Sequence, residues 1–62
     1  MKTMYEVTFI DKTATIATIT DDGLTLKHVH YVAALKWMNQ QGMKWKWVEM
    51  GDGIEQAIAE KG

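Results

Sequence analysis

The stretch TLKHVHYVAALKWMNQQ, residues 25–41, decides how this chain is read. Taken whole, it has the marks of one helix. Thr25 can serve as N-cap, since its hydroxyl can accept from the backbone N–H groups that a first turn leaves unpaired, and Gly42 supplies the left-handed residue that stops the helix. About 17 residues at 1.5 Å each give roughly 25 Å, the length of a strand of about eight residues, so helix and sheet would match in span. On a helical wheel Leu26, Val29, Val32 and Ala33 fall together, with Leu35 to one side and Trp37 to the other. Tyr31 and Met38 widen that apolar arc beyond what one sheet face covers. The excess makes Tyr31, Trp37 and Met38 candidate protein-binding residues.

After the helix, residues 43–50 alternate by twos. Met43, Trp45, Trp47 and Glu49 share one face of a strand, and Lys44, Lys46, Val48 and Met50 share the other. Each tryptophan ring can bury ~150–250 Å², so Trp45 and Trp47 are expected in the core beneath the helix, with Lys44 and Lys46 guarding an edge of the open sheet face. Gly51-Asp52-Gly53 then separates this strand from residues 54–61. There Asp52 and Glu55 have capping-box spacing, and Ile54, Ala57 and Ile58 form an apolar stripe, which predicts a short C-terminal helix. So short a helix holds only when docked. Glu55, in this acidic segment, joins the candidate protein contacts.

Before the long helix, residues 4–10 read as a strand that turns at Asp11-Lys12. A two-residue loop there pairs Ile10 with Thr13, Phe9 with Ala14, Val7 with Ile16, Tyr5 with Thr18 and Met4 with Ile19. That register gathers Tyr5, Val7, Phe9, Ala14 and Ile16 on one face. Asp-Lys lacks the glycine that tight hairpin turns favour, so the turn is the weak point of this reading. The second strand, TATIATIT at residues 13–20, carries no charge and no proline. On a sheet edge it would template another chain.

The fold expected from these elements is α+β, a two-layer ββαβ(α) domain spanning residues 1–62. Its three-stranded antiparallel sheet would run second, first, third, with one long helix on one face and the short C-terminal helix beside it. The uncharged second strand would then be an edge, and self-pairing through Thr13, Thr15, Ala17 and Ile19 predicts a homodimer. Small size points the same way, because 62 residues bury only roughly 60% of their unfolded surface.

Composition narrows the chemistry. With no Cys there is neither a disulfide nor a thiolate metal site, and His28 and His30, two apart, point away from each other on a helix, so no metal and no cofactor is expected. With no Ser, no Cys and no glycine-rich phosphate loop, an enzyme is not expected either. Nothing resembles a signal peptide or a membrane span, which predicts a cytoplasmic protein. The net charge of −1 conceals segregation: residues 23–48 hold no acid, whereas residues 49–60 hold Glu49, Asp52, Glu55 and Glu60 and no lysine. A nucleic-acid-binding alternative would use Lys27, Lys36, Lys44 and Lys46, although the lack of Arg removes the bidentate fork for base and phosphate recognition.

In element order the hairpin of residues 5–20, the Thr25-capped helix and the strand of residues 43–50 resemble small phage-encoded proteins that bind and inhibit a host enzyme. The resemblance implies a non-enzymatic protein-binding module, an inhibitor or adaptor, and carries over no functional residue. A structural, self-assembling subunit is the further alternative.

Overall fold

The computed structural model describes residues 2–61, and its architecture is mostly β. Strands β1 (Thr3–Ile10), β2 (Thr13–Thr20) and β3 (Gly23–His30) form a meander. Helix α1 (Tyr31–Gln41) follows, and β4 (Lys46–Gly51) and β5 (Ile54–Lys61) complete the chain. All five strands lie in one antiparallel sheet of order β3-β2-β1-β5-β4. The three-stranded α+β fold with two helices is therefore corrected. Two segments account for the difference, since residues 25–30 are strand rather than the front of a helix, and residues 54–61 are strand rather than a helix.

Each departure has a local cause. Leu24, Leu26 and His28 alternate with Thr25, Lys27 and Val29, and threonine, histidine and valine are weak helix formers. Laid beside β2, this segment uses the backbone groups of the uncharged strand that would otherwise stand open. At the other end Asp52 and Gly53 adopt φ of 53° and 77°, the two positive values of a type I′ hairpin turn, so Asp-Gly folds β5 back on β4 instead of capping a helix. Asp11, with φ of 56°, supplies the left-handed residue of the first turn despite the missing glycine. The β1–β2 register agrees with the expected one throughout, from Met4 opposite Ile19 to Ile10 opposite Thr13.

The helix occupies one face of the sheet. It starts at His30, whose Nδ1 accepts from the Val32 N–H at 3.2 Å, and stops at left-handed Gly42, with φ of 64°. Gly42 is thus the expected C-cap, whereas the N-cap is His30 and not Thr25. Beneath it, Ile16, Val7 and Ala57 form a row across β2, β1 and β5, and Ala34 and Met38 of the helix are buried against this row's cluster. Lys27 and Trp47 continue the row to either edge. The core is small, rich in alanine, and widened by half-buried rings. Trp37 meets Tyr5 edge-on at 5.2 Å and Trp45 at 5.9 Å, and the Trp45 indole N–H donates to the Met38 carbonyl in the last helical turn. Trp45 lies with the core as expected, but Trp47 is 51% exposed and stacks on Phe9 at the rim.

Candidate functional site

Since β5 takes the place beside β1, the tryptophan strand β4 is an outer strand and β2 is an inner one. Thr13, Thr15, Ala17 and Ile19 consequently lie on a strand paired along both sides, so edge pairing through β2, the basis of the expected interface, is not available. The free edges belong to β3 and β4.

The phase of β3 is fixed by one bond. The Tyr31 N–H donates to the Lys12 carbonyl at 2.9 Å, extending the β2–β3 ladder one step beyond the Thr13–His30 pair. In an antiparallel ladder, residues that exchange both bonds alternate with residues that exchange none. Odd-numbered β3 residues therefore bond toward β2, and Leu24, Leu26 and His28 turn their N–H and C=O groups outward. Along this eight-residue strand every residue but Val29 is exposed, there is no bulge or proline, and Leu24 and Leu26 are 61% and 55% exposed. Charge runs along it: Asp21 and Asp22 form the turn before it, while its far half holds Lys27 and, as polar neighbours, His28 and His30. On the open sheet face His28 Nδ1 and Thr15 Oγ1 share a hydrogen bond of 3.0 Å, which orients the imidazole toward the sheet.

On the helix face, the same strand forms one side of a cleft of about 270 Å³. Ile16, Val29, Ala33 and Trp37 make it apolar, Thr18 and Thr25 place paired hydroxyl side chains in it, and Lys27 is its only charged lining residue. Among the described residues no carboxylate lies within ion-pair distance of Lys27, and the recorded ion pair joins Lys2 and Glu60 at 3.4 Å.

The other candidate residues are scattered. Met38 is buried, at 5% exposure, and Trp37 is half-buried against Tyr5 and Trp45, so neither forms an outer patch. Tyr31 is exposed and, with Val32 and Leu35, leaves a short apolar strip on the helix. Glu55 is exposed on β5, opposite Phe9 on one side and Glu49 on the other, beyond the β1–β2 turn from Tyr31. The lysines do not converge: Lys27 lies on β3, Lys36 on the helix, Lys44 in the connection to β4, and Lys46 on the open face of β4. Sequence reading missed Leu24 and the outward backbone of β3. Its signal was spacing, for Asp11 and Asp21 stand ten apart and each opens a two-residue turn after an eight-residue strand.

No family model matches the chain, and neither a curated protein nor a solved structure matches it. The likeness in element order to phage-encoded inhibitors rested on a layout that the βββαββ order replaces. Among the described residues, no helix is long and apolar enough to cross a membrane.

Proposed function

We propose that the protein is a non-enzymatic protein-binding module that associates by strand addition at β3, and that the strand it takes first is β3 of a second copy. A single observation carries this reading: the Tyr31–Lys12 bond sets a phase in which Leu24, Leu26 and His28 offer donors and acceptors along an unguarded edge. Charge favours a second copy over an arbitrary strand. An antiparallel copy brings the acidic Asp21-Asp22 turn of each chain against the acid-free half of the other, which holds the cation Lys27 and the imidazole N–H donors of His28 and His30. With Leu26 on the two-fold axis, Leu26 faces its counterpart, and Leu24 of each copy faces His28 of the other, all on the open face. Two sheets become one, and both helices lie on the same side. The helix strips of Tyr31, Val32 and Leu35 then remain free for a different protein, which is how an inhibitor or adaptor would work. The reading places the protein in the cytoplasm, where a chain without cysteine is under no redox constraint.

Light scattering of the wild type beside one proline variant tests the proposal. Leu26→Pro removes an outward N–H and is expected to give a folded monomer, because proline is tolerated where the edge amide faces solvent. The wild type is expected to be a dimer. A wild type that remains monomeric at high concentration, or a Leu26→Pro variant that remains dimeric, would overturn it.

A further inference from the structure

We infer that the cleft between α1 and the β2–β3 pair binds a small amphiphilic carboxylate, its apolar tail against Trp37 and its carboxylate at Lys27. At about 270 Å³ the cleft lies just below the usual span of ligand pockets, ~300–1,000 Å³, and suits a short chain or a single aryl group. Its apolar walls need a tail that water repels. The charge requirement is equally specific. Among the described residues Lys27 is the sole charged group of the lining and has no carboxylate partner, and β2, β3 and α1, which build the cleft, hold no acid at all. Asp22 and Asp21, the nearest acids along the strand, are five and six residues away, roughly 16 Å or more in extended chain and beyond a Debye length of about 8 Å. Thr18 and Thr25, a cross-strand pair in the same lining, add hydroxyls that can donate to a carboxylate oxygen. A cation-bearing tail would meet Lys27 unfavourably, and a neutral one would forgo its charge-assisted bond.

Octanoate, octanol and octyltrimethylammonium are the probes, titrated against isotope-labelled protein while the Ala33 and Ile16 methyl signals are followed. Octanoate is expected to saturate those shifts with the lowest Kd of the three. Lys27→Met should raise the octanoate Kd at least tenfold and leave octanol unchanged, and Ala33→Phe, which fills the cleft, should abolish both. Equal affinity for octanol, insensitivity of octanoate to Lys27→Met, or the absence of saturable shifts would overturn the inference. Repeating the titration on Leu26→Pro keeps this result separate from dimerisation. Binding retained there supports the cleft, whatever the state of the wild type; binding lost in a folded monomer would overturn a site complete within one chain.

Discussion

The two edges of the sheet are built in opposite ways. β4 is six residues long, carries Lys46 and Glu49, and has a register shift between Glu49 and Gly51 that interrupts its ladder with β5. Charges, shortness and bulges are the devices by which sheets discourage a further strand. β3 has eight residues in unbroken register with β2, a single lysine, and two leucines more than half exposed. Both strands flank the same small core, so stability does not require the difference. It teaches that association, if it follows backbone chemistry, is directed to one side of the molecule.

The sharpest way to break this comparison is to place proline on β3 in the wrong phase. Lys27→Pro removes an N–H that points toward β2, and a chain of this length has a stability of only roughly 3–9 kcal/mol. Its cooperative thermal transition is expected to disappear, whereas Leu26→Pro should keep it. Next in size is the turn that holds β4. Gly53→Ala forces a side chain into φ of 77° and should cost ~1–2 kcal/mol in urea unfolding without changing the dimer Kd. Leu26→Lys sets two ammonium groups across the proposed axis. At least a tenfold rise in dimer Kd, about 1.4 kcal/mol, is expected by analytical ultracentrifugation. The smallest effect is on the guarded side, where Glu49 stands opposite Glu55. Glu49→Lys turns a like-charge pair into an opposite-charge pair and should stabilise the fold by ~0.2–1 kcal/mol, an effect that added salt should diminish.

Much of the β1–β2 hairpin was legible because its alternation admits one register that gathers Tyr5, Val7, Phe9, Ala14 and Ile16, and local pairing then enforces it. Gly42 was equally legible, since a left-handed stop needs no tertiary context. Residues 25–30 and 54–61 were not. Leu26 and Val29, or Ile54, Ala57 and Ile58, have helical spacing and as strand residues fall on opposite faces, so over so few residues their period points to a helix where pairing makes a strand. Pairing decided both, as β3 and β5 occupy the free sides of β2 and β1. The over-wide apolar arc of residues 25–41 already signalled two elements in one. For the site, the sequence pointed to an unguarded edge but assigned it to β2, and that same feature drew β3 into the sheet. Trp37 and Met38 had the composition of a contact patch, yet Tyr5 and Trp45 enclose the first and the core takes the second. Lys27, which the sequence offered only to the nucleic-acid-binding alternative, lines the cleft.

Amide hydrogen exchange along β3, measured at two protein concentrations, tests the central claim most directly. Amides of Thr25, Lys27 and Val29 bond to β2 and should be protected at both concentrations. Those of Leu24, Leu26 and His28 should be protected at high concentration and exchange freely on dilution. Rapid exchange of these three amides at every concentration, or concentration-dependent protection on β4 instead, would contradict association through β3.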